Sequence, residues 1–178
     1  MRAPRALIAI SVALAVLVAA CGSDDDTGGG GDDGNGGSDR TVSDTDWVRG
    51  ADDACAKAQR AIDTIPSSTA SLSDPENAEQ LSQAGAYLGN LITHLEALVE
   101  DLDDMPQPAS ESDAAAANEV VDGLGKALAS LRRAHDAAGS GDVAAYRSAY
   151  ATYAEDDDAY ARRARDAGLD RCGATAPA

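Results

Sequence analysis

The chain has 178 residues, with 31 Asp and Glu against 14 Lys and Arg, one Trp, five Tyr, no Phe, three Cys and two His. A formal charge of -17 repels phosphate backbones and anionic headgroups, which excludes nucleic-acid tracking and polybasic membrane binding. The length allows one small domain at most, and so few His and Cys offer little to a soft metal.

In chain order, an export signal comes first. Arg2 and Arg5 precede an apolar stretch from Ala6 to Ala20, after which Cys21 opens a run of Gly, Ser and Asp. An apolar run of about 15 residues at ~1.5 Å each covers ~22 Å, short of the ~30 Å hydrocarbon core, so a permanent transmembrane helix is the poorer reading. Val18-Ala19-Ala20-Cys21 resembles the lipobox of bacterial lipoproteins. The resemblance implies that residues 1–20 are removed as a signal peptide and that Cys21 is lipidated through its thiol. It also implies anchorage at the extracytoplasmic face of the cell membrane, and it assigns no activity to the rest of the chain.

Residues 21–44 carry Gly and Asp runs with no apolar periodicity and almost nothing to bury. Such a segment cannot offset its ordering entropy and is predicted to be a disordered tether, with an r.m.s. reach of ~26 Å for a Gly-rich coil. Asp24, Asp25, Asp26, Asp32 and Asp33 stretch it further by repulsion. They lack the Asp-x-Asp-x-Asp-Gly spacing closed by a distal Glu that a calcium loop needs.

Helical periodicity follows. Val48, Ala51, Cys55, Ala58, Ile62 and Ile65 recur in steps of three and four, as do Leu81, Ala84, Leu88, Leu91, Leu95, Leu98 and Leu102. Ala117, Val121, Leu124, Leu128, Leu131, His135 and Ala138 make a third seam. The fourth holds Val143, Tyr146, Tyr150, Tyr153, Asp157, Tyr160, Ala164 and Ala167. These are amphipathic helices, and no stretch has the alternation or turn chemistry of a sheet.

The breaks between seams read as helix ends. Pro66 closes the first helix, Asp74-Pro75-Glu76 offers a cap for the second, and Met105 to Pro108 ends it. Ser110 and Asp113 resemble a capping box, Asp142 a cap for the fourth helix, and Gly168 a left-handed stop. Short connections favour antiparallel neighbours, so the fold class is all-α: an up-down four-helix bundle over residues 45–173, with a flexible tail at 174–178.

With Cys21 used for lipidation, Cys55 on the first seam and Cys172 beyond the fourth helix remain as an even pair in an oxidising setting. A returning tail brings Cys172 towards Cys55, and a structural disulfide is expected. No Cys-x-x-Cys pair supports a catalytic thiolate.

The Tyr stripe on the fourth helix has two readings. Its rings fill space left by Ala51, Ala54 and Ala58, or they line a ligand pocket of phenolic donors formed by Tyr153, Asp157, Tyr160 and His94. Asp157 interrupts an apolar seam where an unpaired carboxylate would be costly, so a Tyr hydroxyl, His94, Arg49 or water is expected beside it. Gly85, Gly89, Gly123 and Gly125 either allow close helix packing or leave a cavity near Asp157.

No metal, cofactor or catalytic constellation is expected. His94 and His135 fall several turns apart in an antiparallel pairing, His135 reading as a core or bundle-end residue. Glu100, Asp101, Asp103 and Asp104 crowd a helix C-terminus whose dipole disfavours them. There is no Gly-x-Ser-x-Gly elbow and no phosphate-binding loop. The expectation is a non-enzymatic, membrane-tethered module that engages another envelope protein, the alternative being small-ligand capture between the helices.

Overall fold

The computed structural model describes residues 41–66 and 72–173; the expected signal peptide, Cys21 and most of the tether lie outside them, as does the tail after Gly173. Four helices make up nearly all of this unit: α1 Asp44–Ile62, α2 Ala78–Asp103, α3 Glu111–Ser140 and α4 Val143–Asp166.

Local chemistry sets each boundary. Ser43 caps α1, its Oγ accepting the Asp46 N–H at 3.2 Å, with Asp44 and Asp46 on the positive end of the helix dipole and Arg60 on the negative end. Ser110 repeats the device at α3, accepting the Asp113 N–H at 3.1 Å, and Asp142 does so at α4 through the Ala145 N–H at 2.9 Å. Gly141 and Gly168 take left-handed φ of 77° and 80°, a conformation costly for any residue with a Cβ, and so stop α3 and α4.

The second helix begins later than Asp74-Pro75 suggests. Asn77 is its cap, accepting the Gln80 N–H at 2.9 Å, while the Gln80 Oε1 turns back to the Glu76 N–H at 2.6 Å. Asp74 is instead engaged by Arg147 Nε at 2.6 Å, and Arg147 also donates to the Pro75 carbonyl at 3.0 Å. Together with the Tyr146 hydroxyl on the Leu72 carbonyl at 2.6 Å, α4 thereby holds the approach to α2.

Contacts between consecutive helices run in opposite senses along the chain. Gly85, Gly89 and Glu96 of α2 meet Ala138, His135 and Arg132 of α3; Gly123 and Ser130 of α3 meet Tyr160 and Asp156 of α4. Gly50 of α1 lies under Met105 just past α2, and Lys57 reaches Asp101 at 2.8 Å. The core these faces enclose is built on the leucine seam of α2, on Leu124 and Leu131 of α3, and on the tyrosines of α4. One seam is rotated by a residue: Val120 is fully buried and Val121 only partly.

A short strand pair adds to the helices. Thr41–Val42 (β1) pairs in parallel with Gln107–Pro108 (β2), and the Ala109 N–H donates to the Val42 carbonyl at 3.0 Å. Two residues are too few to carry an alternation pattern, so the sequence gives no strand signal there. The pair ties the chain just ahead of α1 to the α2–α3 connection.

Candidate functional site

The tyrosines of α4 form a continuous array because steps of four and three keep them on one helix face. Tyr146 stacks on Tyr150 with ring centroids 5.9 Å apart, and Tyr150 meets Tyr153 edge-on at 5.7 Å. Asp157 and Tyr160 continue the same face towards the end of the helix. Tyr146, Tyr153, Asp157 and Tyr160 are all 0 % exposed. None of these four side chains presents surface to solvent, so the core is closely packed around them.

Asp157 is not without a partner. Its charge is felt by its neighbours: Tyr150 is pushed up to about 12, first by burial and then by Tyr87 and Asp157. Burial, then Asp157 and Asp52, raises Tyr160 well above the ordinary phenol value. Tyr146 is raised by burial and by Tyr150. These phenols therefore stay neutral, as hydrogen-bond donors rather than bases.

Of the expected pocket group, Tyr153, Asp157 and Tyr160 share this buried face, while His94 is a half-buried residue of α2. Arg49 is not a partner of Asp157. It is exposed and paired with Asp46, one turn away on α1. Tyr87, also on α2, is raised by burial and by Asp63.

The glycines divide between two roles. A Cβ on Gly85 would sit 3.0 Å from Ala138 Cβ, and one on Gly123 would meet Arg163 at 3.3 Å and the Tyr160 backbone at 3.5 Å, so these two serve close helix packing. Gly89 faces His135 Nε2 at 3.3 Å, whereas Gly125 faces open space and takes no part in packing. Gly85 and Gly89 also floor an open groove of about 720 Å³ between α2 and α3, with Ser82, Asn90 and His135 on its walls. The His135 side chain is 45 % exposed there, 3.8 Å from Asp136, and so belongs to the surface rather than the core.

A shallower groove of about 480 Å³ lies at the end of α2, with Val99 and Leu128 on its floor and Glu96, Glu100, Asp103 and Asp104 around it. Arg132 answers Glu96 at 2.6 Å. Among the described residues no group of three or more His, Cys, Asp and Glu side chains is placed to hold a metal ion.

The remaining cluster is a clamp between α1 and the chain after α4. Cys55 and Cys172 are disulfide-bonded with Cα atoms 5.1 Å apart, closing a loop across 117 positions. Three residues before Cys55, the Asp52 carboxylate accepts the backbone N–H of Arg171 at 2.8 Å and of Asp170 at 3.4 Å. The Tyr160 hydroxyl lies 3.6 Å from Cys55 Sγ, and Leu169 fills the core at 1 % exposure. Sequence reasoning finds the cysteine pair but not Asp52, which reads as one more acidic residue on a helix flank. Its one signal is that it shares a helix face with Cys55. Equally unsignalled is buried Ser130, which donates to Asp156 at 2.5 Å and accepts from Arg133 at 2.7 Å, joining α3 to α4.

The chain matches no family model, no curated protein and no solved structure.

Proposed function

We propose that the protein is a lipid-anchored module of the cell envelope whose helical domain engages another protein through its acidic exterior. One observation carries this reading. Tyr153, Asp157 and Tyr160 are closed off from solvent, which argues against small-molecule capture at that face and supports recognition on the outside. The lipobox resemblance at Val18 to Cys21 supports the anchor, and no helix among the described residues is long and apolar enough to cross a membrane. A chain of net charge -17 selects a partner with a basic contact surface, and complementary fields of this kind act on association rate and weaken with salt.

The test is affinity capture of the full chain from solubilised membranes at low and high salt, with native mass spectrometry of the captured material. The expected outcome is a stoichiometric protein partner with a basic surface, released by salt. Retention of a small molecule by the isolated chain, lost on opening the bundle, would favour ligand capture between the helices and overturn the reading.

A further inference from the structure

Helix α1 is attached to the bundle by different means from the other helices. Its buried face is Trp47, Ala51, Cys55, Ala58 and Ile62: the large side chains stand at its two ends, and between them the alanines and the cysteine cover little apolar surface, whereas α2 buries an unbroken row of leucines. Its ion pair with α2, Lys57 to Asp101, has side chains 67 % and 38 % exposed and is screened by solvent. The other helices interlock through close approach at Gly85 and Gly123 and through the part-buried Ser130–Asp156 bond.

What joins α1 to the α4 side is the short tail that follows Gly168. Within it, Leu169 is buried, the Asp170 and Arg171 N–H groups sit on Asp52, and Cys172 is bonded to Cys55. These tail contacts all reach α1 within about one turn, at residues 51–55.

We infer that the Cys55–Cys172 disulfide is a redox latch on α1. Oxidised, it clamps α1 and the tail together over the bundle; reduced, α1 and the tail part and both loosen while α2, α3 and α4 stay packed. Opening uncovers Leu98 and Tyr160, which with Ala58 and Ile62 line a void of only about 10 Å³ when the latch is closed. Oxidation state thus decides whether that apolar stripe is covered. The inference concerns the helical domain itself and stands whether or not the chain is lipid-anchored; for an exported chain it means that the bundle closes after the reducing compartment is left behind.

The closing chemistry is thiol–disulfide exchange with a small-molecule disulfide such as oxidised glutathione. One cysteine thiolate attacks a glutathione sulfur, forming a mixed disulfide and expelling the first glutathione thiolate. The second cysteine thiolate then attacks the protein sulfur of that mixed disulfide, expelling the second glutathione thiolate. The two cysteine protons end on the two glutathione thiols. Cys55 and Cys172 are 4 % and 2 % exposed, so reopening by a reductant must follow local loosening of the tail around the exposed Arg171 and Gly173.

Hydrogen exchange resolved by peptide tests the latch on the purified full chain, oxidised, reduced with a phosphine, and as the Cys55→Ala/Cys172→Ala double variant without reductant. Reduction is expected to speed exchange in residues 44–62 and 169–173 at least about tenfold while leaving α2, α3 and α4 within about twofold. Oxidised glutathione should restore protection to the wild type and not to the double variant. Unchanged protection of α1 on reduction overturns the latch, because α1 then holds without it. Equal loss across all four helices overturns it as well, because the disulfide is then a staple of the whole fold. Reduced wild type decides between these outcomes even if the double variant fails to fold.

Discussion

The Asp52 carboxylate of α1 accepts the backbone N–H of Arg171 at 2.8 Å, across 119 positions of sequence. A helical side chain thereby serves as the acceptor for a chain segment that has left its own helix, and it does so three residues from Cys55. The tail N–H groups would otherwise compete for water at the rim of the core.

Replacing Asp52 by Ala removes these acceptors and is expected to cost about 1 kcal/mol of folding stability, the tail being solvated enough to keep the loss small. The neighbouring Asp53 is exposed and makes no side-chain hydrogen bond among the described residues, so Asp53→Ala should fall within about 0.5 kcal/mol of wild type. Denaturant unfolding of the two variants side by side checks the contrast. Equal effects would mean that Asp52 acts only through its charge.

Gly85 and Gly125 give opposite expectations for the same substitution. At Gly125 a Cβ meets nothing within 4 Å, so Gly125→Ala should stabilise the protein by roughly 0.8–1 kcal/mol through helix propensity alone. At Gly85 the new Cβ would stand 3.0 Å from Ala138 Cβ, and α2 and α3 would have to separate. Strain there offsets the propensity gain, and Gly85→Ala is expected to be neutral or destabilising. Thermal unfolding of both variants reads the difference.

The contrast also shows what sequence carries. Seams spaced by three and four residues are local, so Leu88, Leu91, Leu95 and Leu98 and the caps at Ser110, Asp142 and Gly168 are legible without any knowledge of the fold. Gly123 and Gly125 look alike in sequence, but two positions turn a helix by about 200°, so only one can face α4. Asp74 looks like a cap because its neighbours suit one. It is drawn instead to Arg147, and that choice depends on where α4 comes to lie. The buried position of Asp157 is legible from its seam, whereas the closeness of the packing around it depends on how four faces meet.

Alkaline pH should unfold the protein through its tyrosines. Burial pushes Tyr150 from the ordinary 10.0 up to about 12, and Tyr160 and Tyr146 are raised too. The unfolded chain then loses its phenolic protons first. The stability contribution of Tyr150 is complete below about pH 10 and is lost as pH climbs towards 12. Circular dichroism and phenolate absorbance followed together should show the buried tyrosines ionising only as the helices melt. Full ionisation with helicity intact would contradict the burial argument.

Cys21→Ser tests the anchor. The variant is expected to leave the membrane fraction, or to remain as an unprocessed precursor, because a hydroxyl cannot take the thioether lipid. Fractionation with mass measurement distinguishes these outcomes. A substituted chain found at full abundance in membranes, processed and lipid-bearing, would remove the lipobox reading.

Asp157 is a carboxylate with no exposed surface and is not without a partner. Asp157→Leu takes away a charge-bearing acceptor and leaves its partner unsatisfied, an expected loss of about 1–3 kcal/mol. Asp157→Asn retains a carbonyl acceptor of nearly the same shape and should lose less. Both remove a negative charge that raises Tyr150 and Tyr160, so both should lower the ionisation range of these phenols, with Tyr150 falling below about 12. Phenolate absorbance and circular dichroism followed together separate the two: ionisation ahead of helix melting reads the electrostatic effect, ionisation with it the loss of fold. A carboxylate serving a ligand would behave differently: stability would be untouched in either variant, and a small molecule retained by the wild type would disappear from native mass spectra. Wild-type stability in Asp157→Leu together with an unshifted tyrosine titration would leave the carboxylate no part in holding the core.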